Sequence, residues 1–187
     1  MEFLPDYPLA PWTTFKVGGP ARWYCRPASR EELAEAFAFA AREGLPCFCM
    51  GRGSNLLVHD DGWPGLVVHL AGLDQVRQEG ERFVCGAGAA VTAVTDSAAR
   101  AGLSGLEFAG GLPGSIGGAV FMNARAYGGE LSGIVERVLV MDPAGAVRTL
   151  DNREMEYGYK HSRLMTRPET AFEVVLRLAP GDPEEIR

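Results

Sequence analysis

The stretch Gly110–Ala119, GGLPGSIGGA, carries more information about the fold than any other part of the chain. Five of the nine residues from 110 to 118 are glycines. Such a run is expected to form neither a stable helix nor a well-packed strand, because glycine loses more backbone entropy on folding than other residues. It is suited to bringing bare main chain, with N–H groups turned outward, against a flat or anionic ligand. The segment predicts a ligand-binding loop, and the alternative is an ordinary glycine-rich surface loop.

A second glycine loop, Gly51–Asn55 (GRGSN), lies between the apolar runs 45–50 and 56–58. A strand leading into these residues would offer backbone N–H groups, a hydroxyl and an amide within a short span, as a diphosphate requires. The dinucleotide fingerprint of a doubly wound sheet is absent, because Leu56 stands where the third glycine belongs and a strand-like run follows. We therefore expect any nucleotide cofactor to be held in another way.

Changes in residue pattern divide the chain into four parts. We predict an N-terminal arm at 1–13, a small α/β lobe at 14–71, a mixed lobe with antiparallel strands at 72–179, and a polar tail at 180–187. Both glycine loops are expected to face one cleft between the lobes.

Helices and strands are predicted from caps and periodicity. Ser29 and Glu32 form a capping box that opens a helix running to Arg42, with Gly44 as its stop. Its buried face, predicted from the i, i+3, i+4, i+7 spacing, comprises Leu33, Ala36, Phe37 and Ala40. A second helix is expected over 90–101, and strands near 22–25, 47–50, 66–70, 82–85, 135–141, 146–150 and 172–178.

Composition excludes several classes of protein. With 187 residues, 47% of them hydrophobic, the chain is long enough to bury a substantial core. A net charge of −6 argues against nucleic acid or an anionic membrane as a partner, since either requires a basic surface. No apolar run approaches the roughly 20 residues of a membrane helix. The first residues lack the pattern of a signal peptide, so a cytoplasmic protein is expected.

The four cysteines are expected to be small core residues of strands. They are Cys25, Cys47, Cys49 and Cys85, and the second and third, two positions apart, share one face of a strand. No metal site is expected, because the three histidines, His59, His69 and His161, supply no ligand spacing.

Seven motifs occur in order along the chain. They are TFKVGGPA at 14–21, GRGSNLLV at 51–58, GLEF at 105–108, GLPGSIGGA at 111–119, MNA at 122–124, AYG at 126–128 and YGYKHS at 157–162. This ordered set is similar to that of the UDP-N-acetylenolpyruvoylglucosamine reductases, flavoenzymes of bacterial peptidoglycan synthesis. The resemblance extends from about Trp12 to Arg187.

The resemblance implies a fold, cofactors and site residues. The fold would be α+β, a two-lobed FAD-binding domain of the vanillyl-alcohol-oxidase (PCMH) type, with noncovalent FAD between the lobes, NADPH as hydride donor and a UDP-sugar as substrate. The implied flavin contacts are Gly51, Arg52, Gly53, Ser54, Asn55, Leu56, Gly111, Pro113, Gly114, Ser115, Gly117, Gly118, Ala119 and Asn123. Tyr127 and Tyr159 would bind substrate, and Lys160 would occupy the place of the family's catalytic arginine.

Three features depart from the family pattern. Lys160 keeps a positive charge but lacks the bidentate fork with which arginine matches a carboxylate. Arg125 stands where the family usually has glycine, and its side chain would either crowd the cleft or point into solvent. The substrate-binding domain that follows in the family, with its Ser-Ala-Gly-Ser motif, does not occur in these 187 residues.

Two functional hypotheses remain open. In the first, the chain would be the FAD-binding portion of the reductase, with a separately encoded C-terminal domain as a candidate partner. In the second, it would be a stand-alone flavin-binding or interaction module without catalysis. A third, a domain of another flavin oxidoreductase of the same fold, is disfavoured by the YGYKHS and MNA motifs. The reading frame downstream of Arg187 distinguishes the first two, because a Ser-Ala-Gly-Ser motif there would indicate a reductase.

Overall fold

The computed structural model describes residues 1–182 and Ile186. Of the predicted tail at 180–187, residues 183–185 and 187 lie outside the described residues.

Thirteen strands and three α-helices follow one another along the described residues. In chain order they are β1 (Leu4–Pro8), β2 (Pro20–Cys25), α1 (Arg30–Arg42), β3 (Cys47–Met50), β4 (Trp63–His69), β5 (Val76–Glu79), β6 (Arg82–Gly86), α2 (Val91–Arg100), β7 (Leu103–Ser104), α3 (Ile116–Phe121), β8 (Arg125–Ala126), β9 (Gly129–Glu130), β10 (Val135–Met141), β11 (Val147–Asp151), β12 (Thr170–Arg177) and β13 (Ala179–Pro180).

The first lobe is built on a four-stranded sheet in the order β1-β2-β4-β3. β4 pairs in parallel with both β2 and β3, whereas β1 pairs antiparallel with β2 at one edge. Residues 4–8 of the predicted N-terminal arm therefore form an edge strand. β4 is the central strand of the parallel part, and its residues 65–69 are all buried, as expected for a strand covered on both faces.

Helix α1 covers one face of this sheet and begins and ends where its caps predict. The Ser29 hydroxyl accepts a hydrogen bond from the Glu32 N–H at 3.2 Å, and the Glu32 carboxylate accepts one from the Ala28 N–H at 2.7 Å. Gly44 adopts a φ of +63° just beyond the last turn. The predicted apolar face is buried, which confirms the periodicity.

The second lobe is built on a five-stranded antiparallel sheet in the order β11-β10-β12-β6-β5. Helices α2 and α3 pack against β6, and α3 also packs against β12. The two lobes share apolar packing, because Met141 and Phe172 of this sheet are buried with Phe37 and Leu70 of the first lobe. This shared core fixes the cleft between the sheets.

Helix α3 overturns the prediction that the glycine run forms no helix. Residues 116–121 are α-helical despite two glycines, and Ser115 caps the helix by accepting a hydrogen bond from the Gly118 N–H at 3.2 Å. A Cβ added to Gly117 would lie 2.7 Å from the Ala87 Cβ, so this glycine permits close packing of the helix on the neighbouring loop. Tertiary packing and the cap therefore outweigh the low helix propensity of glycine.

His69, the last residue of β4, is a buried polar residue with a defined partner. It is 1% exposed, and its Nδ1 lies 2.7 Å from the Tyr24 hydroxyl oxygen. Burial, followed by the nearby charges of Arg26 and Arg52, lowers the pKa of His69 to about 4. Since the unfolded imidazole titrates near pH 6.5, the unfolded chain binds more protons than the folded chain between these values.

We therefore expect His69 to destabilise the fold as pH falls from 6.5 through 4. The loss is about 3 kcal/mol at most, because one pKa unit corresponds to about 1.4 kcal/mol. Urea unfolding at several pH values should show that the stability advantage of the unchanged protein over His69→Gln shrinks on acidification. His59→Gln, which removes an exposed imidazole, is the control. A stability difference between the unchanged protein and His69→Gln that does not vary with pH would contradict the lowered pKa of His69.

Candidate functional site

A cavity of about 660 Å³ opens between the two lobes. Its wall includes β3 and the following GRGSN loop of the first lobe, and α3 with the preceding glycine loop of the second. Its volume lies within the range of roughly 300–1,000 Å³ that is typical of small-molecule and cofactor sites. The cavity thus lies at the cleft that both glycine loops were predicted to face.

The two glycine loops are in direct contact at the cavity wall. Gly51 lies so close to the Ser115 hydroxyl that any Cβ at position 51 would collide with it. A Cβ at Gly114 would lie 3.6 Å from the Ser54 hydroxyl oxygen. Segments some sixty residues apart in sequence therefore form one continuous surface of main chain.

This surface presents unpaired backbone donors. The N–H groups of residues 52–55 donate no hydrogen bond to any other described residue, and the same holds for Gly114 and Ser115. Such groups are strong donors that require a partner, and a ligand anion in the cavity would supply one. The arrangement is suited to a diphosphate.

Three glycines of the two loops serve three different purposes. Gly118 is exposed to the cavity, and a Cβ there would contact only the Ser115 hydroxyl, at 3.3 Å. Gly53 has a φ of +69°, and its Cα faces the Trp12 carbonyl so closely that no Cβ fits. Gly53 is therefore constrained by the N-terminal segment. Gly117 is constrained by Ala87, and only Gly118 keeps space open for a ligand.

Most of the predicted flavin contacts line this cavity. They are Gly51, Arg52, Gly53, Ser54, Asn55, Leu56, Pro113, Gly114, Ser115, Gly117, Gly118 and Ala119. Gly111 does not line it; with a φ of +79° and no neighbour within 4 Å of an added Cβ, it serves a turn.

Asn123 is the predicted flavin contact that the structure places furthest from that role. It is fully buried, its amide donates to the Gly158 carbonyl at 2.9 Å, and its Oδ1 accepts from the Ser132 N–H at 3.0 Å. Its φ of +43° is one that asparagine tolerates better than most residues. Asn123 therefore ties the MNA and YGYKHS motifs together and does not line the cavity.

The cavity mouth is cationic and aromatic. Arg125 and Lys160 line it, and the Arg125 guanidinium lies 5.0 Å from the centre of the Tyr159 ring. The Lys160 ammonium lies 5.9 Å from the same ring. Among the described residues neither cation has a carboxylate within 4.0 Å. Arg125 lines the cavity and is exposed to solvent, with its guanidinium over the Tyr159 ring.

The two tyrosines predicted to bind substrate lie outside the cavity wall. Tyr127 is 93% exposed and Tyr159 is 73% exposed. Tyr127 and Lys160 also have positive φ values, +47° and +49°, which are uncommon for residues other than glycine and concentrate at functional sites. The mouth is thus a strained, exposed rim around an apolar interior.

Sequence reasoning missed the role of β3 and β12 in the cavity wall. Cys47, Phe48, Cys49 and Thr170 line it, and Cys47 is exposed, so it is not the core residue that was expected. Cys47 and Cys49 are two residues apart on β3, and both line the cavity together with Phe48 between them. The i, i+2 spacing identifies a face without saying what covers it.

The described part of the chain contains neither a candidate metal site nor a membrane-spanning helix. Within it, no group of three or more His, Cys, Asp or Glu side chains is placed to hold a metal ion. No helix within residues 1–182 has the length and apolar character needed to cross a membrane.

Comparisons with known proteins agree with this architecture. Residues 21–151 match the model of the FAD binding domain family. UDP-N-acetylenolpyruvoylglucosamine reductase from Lactiplantibacillus plantarum is 42% identical over 100% of this chain and 62% of its own length. The protein of that name from Synechococcus sp. strain JA-3-3Ab is 42% identical over 96% of this chain and 58% of its own length. The chain thus spans about three fifths of these relatives.

Solved structures confirm the predicted fold class. UDP-N-acetylenolpyruvylglucosamine reductase from Thermus caldophilus superposes with a TM-score of 0.84 at 36% identity, covering 99% of this chain and 64% of its own. 6-Hydroxy-D-nicotine oxidase from Arthrobacter nicotinovorans superposes with a TM-score of 0.74 at 17% identity, covering 96% of this chain and 42% of its own, and shows the fold alone. The fold is the α+β, two-lobed FAD-binding domain of the PCMH type. The chain belongs to the FAD-binding domain family and corresponds to the FAD-binding part of the UDP-N-acetylenolpyruvoylglucosamine reductases.

Proposed function

We propose that this chain is the FAD-binding portion of an NADPH-dependent reductase that converts UDP-N-acetylenolpyruvoylglucosamine to UDP-N-acetylmuramate for peptidoglycan synthesis. The observation that carries the proposal is the single cavity formed by the two touching glycine loops. Its relatives at 42% identity bear the name of this reductase. Such a reductase works in the cytoplasm, where nucleotide sugars and NADPH are present.

The residues present fit FAD. The unpaired N–H groups of residues 52–55 and of Gly114 and Ser115 would bind its diphosphate, and the apolar wall that includes Phe48 and Leu112 would exclude water from its flat rings. When bound, FAD supplies hydride transfer from NADPH to the enolpyruvyl double bond. The protein contributes position, charge and exclusion of water.

The cationic mouth is where we place the sugar nucleotide. Lys160 would hold the enolpyruvyl carboxylate by its point charge, and Arg125 would attract the diphosphate of the UDP group. Tyr159 lies exposed beside both cations, and Tyr127 is exposed two residues after Arg125, so both rings are available to stack on a flat ring.

We propose that full turnover needs the part of the reductase that the relatives contain and that this chain does not cover. A C-terminal domain, supplied by the same gene or a separate one, would cover the mouth and the exposed side chains of Phe121, Tyr127 and Tyr159. A non-catalytic flavin-binding module is the second candidate, favoured by Lys160 in place of arginine. A downstream reading frame that encodes a Ser-Ala-Gly-Ser motif would decide for the reductase.

We expect the purified chain to bind FAD noncovalently, and Gly118→Val to weaken that binding. The added side chain would enter the cavity, and overpacking of this kind costs about 1–3 kcal/mol, or roughly tenfold in affinity. Quenching of flavin fluorescence measures the affinity, and precipitation after denaturation should leave the flavin in solution.

Gly133→Val is the matched control, because Gly133 is exposed, has no neighbour within 4 Å of an added Cβ, and lies outside the cavity wall. Gly53→Val is unsuitable, since it would disrupt the loop against Trp12. Equal affinities of the two valine variants, or no saturable FAD signal at tens of micromolar, would refute the assignment of the cavity.

We expect the 187-residue chain alone, loaded with FAD, to reduce the enolpyruvyl sugar nucleotide negligibly. The resemblance places the general acid on a serine of the Ser-Ala-Gly-Ser motif, which these 187 residues lack. Loss of a general acid typically costs about 10²–10⁴-fold, and loss of positioning and water exclusion adds to it. NADPH consumption should be slow and independent of the sugar nucleotide, and Lys160→Arg should not restore the reaction. Anaerobic stopped-flow absorbance tests this. Rapid substrate-dependent recovery of the oxidised flavin spectrum would show that the short chain is a complete enzyme.

A further inference from the structure

A second cavity, of about 410 Å³, lies on the N-terminal side of the GRGSN loop. Its wall is formed by the segment from Pro11 to Lys16 and by the ends of β2 and β4. The lining residues are Pro11, Trp12, Thr13, Thr14, Lys16, Arg26, Arg52, His69 and Ala71. Arg52 lines both cavities, so the loop that carries it separates the two spaces.

Three cations converge on this cavity without compensation. They are Lys16, Arg26 and Arg52, and among the described residues no carboxylate lies within 4.0 Å of any of them. Some other arginines of the chain are neutralised by a carboxylate, as Arg82 is by Glu136 at 2.8 Å. A cluster of uncompensated positive charge in a protein of net charge −6 favours an anion at that place.

Hydrogen bonds to neutral carbonyls hold two of these cations at the cavity. The Lys16 ammonium donates to the Pro11 carbonyl at 2.8 Å, and the Arg26 guanidinium donates through Nη2 to the Ala71 carbonyl at 3.2 Å. These bonds orient the side chains but leave their charge unneutralised. Each group keeps further N–H donors for a ligand.

The rest of the wall is formed by neutral residues. His69 is buried, and its ring lies edge-on to the Trp12 indole at a centroid distance of 5.0 Å. Its hydrogen-bond partner is the Tyr24 hydroxyl, so no carboxylate is brought to the cavity by this pair. The Thr14 side chain adds a hydroxyl at the exposed rim. The wall therefore offers donors and positive charge.

We propose that this second cavity is a binding site for the phosphate or diphosphate group of a small phosphorylated metabolite, distinct from the flavin cavity. Arg26 and Lys16 bind the anion from one side, and Arg52 binds it from the glycine loop. The volume lies within the usual range for small-molecule sites, so it accommodates more than a bare phosphate.

Pyrophosphate is the probe, titrated by calorimetry in about 0.15 M salt so that unspecific attraction is screened. We expect saturable binding to the chain with and without saturating FAD. Arg26→Gln should weaken it about tenfold or more, because hydrogen bonds to charged groups contribute about 1.5–3 kcal/mol. Arg26 lines the second cavity and not the first, whereas Arg52 would affect both.

Arg153→Gln is the matched control, since it removes an equal charge from an exposed arginine that lines neither cavity. Lys16→Gln provides a second test, and unchanged thermal unfolding shows that each variant folds. The proposal would be overturned if pyrophosphate showed no saturable binding, or if Arg153→Gln lost as much affinity for it as Arg26→Gln. It would also be overturned if FAD displaced pyrophosphate and Arg26→Gln had no effect on its affinity. A chain that fails to bind FAD still tests this site, because pyrophosphate is first titrated alone.

Discussion

The contact between Gly51 and the Ser115 hydroxyl is the constraint on which the rest of the site depends. The hydroxyl occupies the space that a side chain at position 51 would need, while it also caps α3. The same hydroxyl therefore lies where the two loops meet and caps the start of the helix. Because the two loops meet here, residues of both line one cavity and are available to one ligand.

The glycines show how a single residue type meets several demands. Gly117 lets α3 approach Ala87, Gly53 lets the N-terminal segment cross the GRGSN loop, and Gly118 leaves the cavity open. Only the last of these has a direct consequence for a ligand. A glycine-rich motif therefore identifies a place where main chain comes close to something, and the structure decides whether that is a ligand or the protein itself.

Positive charge is concentrated on both sides of the GRGSN loop in a chain whose net charge is negative. Arg125 and Lys160 lie at the mouth of the larger cavity, and Lys16 and Arg26 lie at the smaller one. Arg52 lines both. Unpaired cations that line a cavity favour the binding of phosphorylated ligands. Their attraction for phosphate is strongest where walls of low dielectric constant limit screening.

The sequence by itself determined two of the three α-helices, the longer strands and the identity of the two loops. The capping box at Ser29, the buried face of α1 and the strand over 135–141 follow from local propensity and periodicity, which depend on neighbours in the chain. The order of motifs was enough to identify an FAD-binding domain. Only the tertiary structure decided that residues 116–121 are helical, that Asn123 is a buried tie, and that Cys47 faces the cavity. Those outcomes depend on contacts between residues far apart in sequence, whose energies exceed the local preferences from which the predictions were made.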